Sequence, residues 1–233
     1  TGASMMEKIF WTRTLRGWEE ADLQSTSARS WFDAMADNQV YMGTTLDLLW
    51  TAKFGMASAL QDEDRAYIPP MALDRQRPQV KYQSSSNYPQ SWDIHPGFYE
   101  PQDGLKALEK HQEATRLLHD SGGPIVGGTD CGAIAYPPPG FALLRELELL
   151  SESIGSLNAI KSVTSVAATY LRRADDVGAV RPGRYADFLV VDGDPLRDVR
   201  ELRKLETVYK GGRGYQPEEL KAACPRSSVQ KER

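Results

Sequence analysis

The sequence predicts an α/β fold made of helix–turn–strand units of the kind that build a (β/α) barrel, followed by a smaller β-region. Three observations carry this. A helical pattern over residues 102–121 closes at Ser121-Gly122-Gly123 and runs into a short apolar stretch, Pro124-Ile125-Val126, that ends in Gly127-Gly128-Thr129-Asp130. An earlier stretch repeats the order: a helical pattern through Asn38, then a β-branched and aromatic run over residues 39–46. Past residue 178 the texture changes to two apolar runs, 186–192 and 205–210, each followed by a glycine turn.

Taken along the chain, residues 1–24 are mixed, with apolar Phe10, Trp11, Leu15 and Trp18. Ser25-Thr26-Ser27 can cap a helix that reaches Asn38 and buries Trp31, Phe32 and Met35 on one face. The strand over 39–46 follows. Residues 47–101 form a long excursion with little periodicity: an apolar helical piece over 48–60, Tyr67-Ile68-Pro69-Pro70, then a polar, proline-containing stretch. Its aromatics (Tyr82, Tyr88, Trp92, Phe98, Tyr99) favour an ordered, packed loop. In the helix over 102–121, Leu105, Leu108, Ala114, Leu117 and Leu118 fall near helical spacing. After the strand, Pro137-Pro138-Pro139 marks a loop. A helix over 141–154 places Leu143, Leu144, Leu147 and Leu150 on one side and ends at Gly155. A further helix spans 157–171, and the tail after Tyr215 reads as polar and frayed.

Bulk properties narrow the function classes. The chain has 233 residues, 40% hydrophobic and 26% charged, the make-up of a globular protein. A net charge of −4 offers no strong field for nucleic acid. No apolar run is long enough to span a bilayer, and no signal peptide is visible. Cys131 and Cys224 have no metal-type spacing. Cytoplasmic and exported compartments both stay open.

Asp130 is the leading candidate for chemistry. In a (β/α) barrel the carboxyl ends of the strands face the active site, and an aspartate delivered there can bind a metal or move a proton. The competing reading is that Gly-Thr-Asp is only a turn, since these residues are common in turns.

Four blocks extend the comparison. They are Val40-Tyr41-Met42-Gly43-Thr44-Thr45-Leu46, then residues 118–130 ending in Gly127-Gly128-Thr129-Asp130, then Arg145-Glu146-Leu147-Glu148-Leu149-Leu150 with Ala159 and Val163-Thr164-Ser165. The last is the long run 177–195, which contains Arg181-Pro182-Gly183-Arg184-Tyr185-Ala186-Asp187. In this order they resemble the C-terminal half of a metal-dependent amidohydrolase, in the imidazolonepropionase and prolidase-like branch. Thr44 stands where the family's strand motif has proline.

The resemblance implies a composite fold: residues 1–175 as the C-terminal portion of a (β/α)8 barrel with the long loop 47–101, residues 176–215 as part of a small β-sandwich, and 216–233 as a polar tail. It implies hydrolysis of a carbon–nitrogen bond (amide, cyclic amide or dipeptide) by metal-activated water, with Asp130 as metal ligand and proton shuttle. It implies a divalent metal, zinc in the first place, and a small-molecule or peptide substrate; a homo-oligomer is compatible with it. Family members also use a His-x-His pair, two later histidines and sometimes a carbamylated lysine. This sequence has only His95, His111 and His119, with no His-x-His. A lone aspartate does not hold a catalytic zinc. The expectation is therefore a fragment of a longer enzyme, inactive and poorly stable by itself. The alternative is a degenerate, non-catalytic barrel that acts as a binding or scaffold protein.

Other residues are read more plainly. His111 and His119 are surface or packing residues on the helix before the strand, while His95 lies in the long loop. Thr129 either orients the Asp130 carboxylate or is a strand-end hydroxyl. Cys131 is a small buried residue. Asp187, Asp192 and Asp194 are structural turn carboxylates. Glu146 and Glu148 are expected to face solvent or a helix end. Leu144 stands where many relatives carry histidine.

Overall fold

The computed structural model of the protein describes residues 16–54, 103–130 and 140–223. Residues 16–20 are helical. Helix α1, Thr26–Asp37, starts where the Ser25 hydroxyl accepts from the Ala28 N–H, a side-chain N-cap. It ends at Asn38, as the sequence predicts. Phe32 and Ala36 are buried, but Trp31 is 60% exposed and only its edge meets Phe32. Adjacent helical positions point about 100° apart, and the core-facing stripe of α1 runs through Phe32 and Ala36, which leaves Trp31 on its outer side.

The strand expected over 39–46 shortens to β1, Met42–Gly43. Gln39 takes a left-handed φ of 50°, and helix α2, Leu46–Phe54, takes over the last residue of the expected strand. Helix α3, Asp103–Asp120, matches its expected range and buries Leu108, Ala114 and Leu118, although Leu105 is exposed. Strand β2, Ile125–Val126, lies parallel to β1 with Met42 opposite Ile125 and Gly43 opposite Val126. Parallel strands need a long crossover, which the intervening segment supplies.

Helix α4, Phe141–Ile154, follows. Its buried stripe is Ala142, Glu146, Leu147, Leu149, Leu150 and Ile154. Leu143, expected inside, is exposed, and Leu144 is half-buried. The helix expected over 157–171 is two pieces, α5 (Ser156–Ser162) and α6 (Ser165–Tyr170). At the break the Thr164 hydroxyl donates to the Ile160 carbonyl at 2.7 Å, a local bond that competes with helix continuation.

One apolar core unites this region. Helix α3 packs against α1, α2 and α4, and α2 packs against α4. Leu46, Leu49, Leu118, Ile125 and Leu150 sit at its centre. Close packing reaches the backbone at Gly127, where a Cβ would lie 2.7 Å from Val163 Cγ1 and 3.1 Å from Leu150 Cδ1. Only glycine fits there, and its N–H donates to the Ser162 carbonyl.

The second region is an antiparallel sheet in the order β3 (Phe188–Val191), β4 (Leu205–Lys210), β5 (Arg213–Tyr215). Phe188 stacks on its cross-strand partner Tyr209 with ring centroids 4.4 Å apart. A 3-10 turn over Val199–Arg203 precedes β4, and helix α7, Pro217–Ala223, occupies the start of the stretch read as a frayed tail. The sheet and the core are tied by Arg203, whose guanidinium donates to Glu148 on α4 at 2.9 Å. No described helix is long and apolar enough to cross a membrane. The described residues are thus mixed α/β, with one parallel strand pair and one antiparallel sheet among them.

Candidate active site

The parallel pair places two strand ends side by side. The Thr44 N–H donates to the Val126 carbonyl at 3.0 Å, so pairing continues one residue past β1. Beyond β2, Gly128 comes close to the Thr44 carbonyl; a Cβ there would lie 3.7 Å from that oxygen. The chain then reaches Thr129, half-buried, and Asp130, exposed. Asp130 adopts a left-handed φ of 52°. Few non-glycine residues do so, and aspartate is among those that do most readily.

Directly behind these strand ends lies a buried polar group that joins Thr44 and Glu146 to Asp47, a residue the sequence does not single out. Thr44, Asp47 and Glu146 are each at most 1% exposed. Glu146 on α4 accepts from the Thr44 hydroxyl at 2.5 Å through one oxygen and from the Asp47 backbone N–H at 2.8 Å through the other. The Asp47 N–H belongs to the first turn of α2, one of the groups a helix cannot satisfy internally. Glu146 therefore caps α2 from a different helix. Its negative charge also suits the positive end of the helix dipole.

Asp47 itself is fully buried, and among the described residues neither of its carboxyl oxygens has a hydrogen-bond partner. Burial pushes its carboxyl up to about 7, against the pull of the Arg145 guanidinium. Burial pushes Glu146 up to about 7 as well, offset in part by the hydrogen bonds from Thr44 and Asp47. Arg145 lies 4.9 Å over the Trp50 ring and pairs with Glu148 at 2.6 Å. Two buried carboxyls this close titrate as a pair and do not both ionise readily.

Of the two expectations for Glu146, solvent or a helix end, the second is the one met: donors from Thr44 and from the start of α2 replace water around it. Glu148 is not free in solvent either: it binds Arg145 and Arg203. A signal was present. Ala142, Glu146 and Leu149–Leu150 form one helical stripe, and Asp47 sits inside the apolar run Leu46-Asp47-Leu48-Leu49.

The remaining candidates fall into place as packing or turn groups. His111 stacks on Trp18 with centroids 4.6 Å apart, and burial lowers its pKa to about 4. The His119 ring meets the Asn158 amide at 3.3 Å. Asp187 accepts from Lys210 and from the Gly211 N–H, and Asp194 accepts from the Leu196 N–H. Asp192 is exposed. His95, Cys131 and the aromatics of the long loop lie outside the described residues. Among the described residues no three His, Cys, Asp or Glu side chains gather as a metal would require. Asp130 is a single donor and does not make a metal centre by itself.

Comparison with known proteins accords with this arrangement. The sequence profile of the amidohydrolase family matches residues 35–214, which include both parallel strands, Asp130, Glu146 and most of the antiparallel sheet. Imidazolonepropionase from Geobacillus kaustophilus (strain HTA426) is 29% identical over 109 residues, covering 46% of this chain and 26% of that protein. Among solved structures, a prolidase complexed with N-methylphosphonate-L-proline superposes with a TM-score of 0.53 at 18% identity, over 81% of this chain and 38% of that one. A Xaa-Pro dipeptidase with bound methionine gives a TM-score of 0.52 at 20% identity, over 82% of this chain and 37% of that one. At these identities the two structures speak to the fold alone. The chain spans about a quarter of the length of the curated relative it matches, and under two fifths of these neighbours. With a family match across residues 35–214, the chain belongs to the amidohydrolase family.

Proposed function

We propose that this chain contributes the Asp130 side of an active site that hydrolyses a carbon–nitrogen bond in an amide, a cyclic amide or a dipeptide. The observation that carries the reading is the position of Asp130. It follows a parallel strand at that strand's carboxyl end, beside the end of its neighbour, within the residues that match the family. On this reading residues 1–175 are a portion of a (β/α) barrel, and 176–215 a portion of a small β-sandwich.

Asp130 would act in two ways. Its carboxylate would be one ligand of a divalent cation, zinc being the first candidate, and it would carry a proton from the attacking water to the departing amine. A cation held there supplies an activated water and polarises the carbonyl. Catalytic zinc sites typically use about three protein ligands, so the others would come from outside the described residues.

The test uses the complete product of the gene that encodes this chain. It is assayed, with zinc, manganese or cobalt added, against Xaa-Pro dipeptides, N-acyl amino acids and five-membered cyclic amides. Turnover of one class, lowered about 10²- to 10⁴-fold by Asp130→Asn, is the expected result. Turnover that is indifferent to Asp130→Asn removes the assignment. No turnover and no retained metal would favour the non-catalytic barrel instead.

A further inference from the structure

We propose that Glu146 is a positioning residue for Asp130: by capping α2 and gripping Thr44, it fixes the two strand ends from which the Gly-Gly-Thr-Asp segment departs. The path is short and continuous. Glu146 accepts from the Thr44 hydroxyl, Thr44 donates its backbone N–H to Val126, and Gly128 lies against the Thr44 carbonyl, two residues before Asp130. On the other side, Leu150, one helical turn after Glu146 on α4, closes the cradle around Gly127. The same helix thus holds the segment from beneath at Gly127 and from the side through Thr44.

The arrangement adds positioning to stability. A buried carboxylate is costly to desolvate, and removing Glu146 alone would leave the Thr44 hydroxyl and the Asp47 N–H without an acceptor. What Glu146 adds is direction: two oxygens, each bound to a different strand-end or helix-start donor, define one geometry. Catalytic side chains need such support, since a shift on the order of 1 Å can cost about a hundredfold in rate.

The catalytic arm of this proposal rests on the reading of Asp130 above, so the experiment includes an arm that does not. In the complete gene product, backbone amide exchange is followed by mass spectrometry for wild type, Glu146→Ala, Glu146→Gln and Thr44→Val. Glutamine keeps the size of glutamate. Its carbonyl can still accept from the α2 N–H, and its amide can donate to the Thr44 oxygen, so it is the conservative variant. Glu146→Ala is expected to speed exchange over residues 125–130 by about tenfold more than over 205–210 in the distant sheet, with Glu146→Gln within about threefold of wild type.

If Glu146→Ala does not fold, Thr44→Val serves. It removes only the hydroxyl contact and is expected to loosen 125–130 while Glu146→Gln does not. Exchange over 125–130 that follows 205–210 in every variant overturns the proposal, whatever the assay shows. Where hydrolysis is found, the alanine variant should lose about 10- to 100-fold in kcat with KM nearly constant, and glutamine should restore it. Equal kcat per folded molecule in wild type and alanine variant reduces Glu146 to a structural residue. A protein without any hydrolysis defeats the function proposed above but leaves the exchange result to decide the positioning role.

Discussion

Around the parallel strands, Asp47 and Glu146 are stripped of water and their carboxyls rise to about 7. On the antiparallel sheet, Asp187 stays in reach of solvent beside Lys210, and its carboxyl sits below the usual range. The residue types are alike, and the direction is set by which influence leads. In the first region it is desolvation, which favours the neutral form. In the second it is a charged donor and a backbone N–H, which favour the ionised form. The first region is a dense core that carries polar groups in its interior; the second is a thin sheet whose polar groups are on its rim.

The largest expected contrast concerns packing. Leu150 is fully buried and closes the cradle at Gly127, whereas Leu189 on β3 is 52% exposed. Leu150→Ala should lower unfolding free energy by about 2–5 kcal/mol, through lost transfer energy and the cavity left behind. Leu189→Ala should change it by no more than about 0.5 kcal/mol. Urea unfolding of both variants measures this. Equal effects would mean that the sheet is covered as thoroughly as the core.

The next contrast is in pH. Asp47 has a folded value of about 7 against an ordinary value of 3.8, so between those values the folded state holds more protons than the unfolded state. Stability associated with this group is therefore present below pH 3.8 and is lost as pH rises toward 7. Asp47→Asn removes the titration. The variant should match wild type near pH 4 and exceed it at pH 8 by a few kcal/mol, at about 1.4 kcal/mol for each pH unit between the unfolded and folded values, a gap that already contains the pull of Arg145. Urea midpoints at the two pH values decide it. A variant less stable than wild type at pH 8 would mean that the ionised carboxylate is satisfied in solution by a group that the fold alone does not supply.

These contrasts also explain what could be read from the chain. Local chemistry is visible locally: the Ser25 cap, the end of α4 at Gly155, the glycine-rich approach to β2 and the turn at Gly211-Gly212 need only neighbouring residues, and each is where the sequence puts it. Asp130 could be picked out because the order helix, glycine turn, apolar run and acid repeats a known unit. The residues behind it were legible only in part. The stripe of Ala142, Glu146 and Leu149-Leu150 marks Glu146 for burial, although a glutamate on an amphipathic helix is ordinarily solvated. Its partner Thr44 is 102 residues away and follows only once β1 and α4 are brought together. Likewise the strand over 39–46 looks long because Thr44, Thr45 and Leu46 suit strands, yet the cap supplied by Glu146 lets a helix start at Leu46.

The smallest expected effect lies on the sheet rim. Asp187 links the start of β3 to the turn after β4 through Lys210 and the Gly211 N–H. Its folded value is lowered, so the stability it contributes is present above the unfolded value of 3.8 and lost as pH falls through the folded value. Asp187→Asn keeps a carbonyl that can accept from Gly211 but loses the charge opposite Lys210. The variant should melt slightly below wild type at pH 7, by much less than Leu150→Ala, and the two should converge in strong acid, where the wild-type carboxyl is itself neutral. Raising salt to 1 M shortens the screening length to about 3 Å and should erase most of the gap at pH 7. A gap that survives both acid and salt would place the contribution of Asp187 in the geometry of the turn, with the Lys210 charge adding nothing.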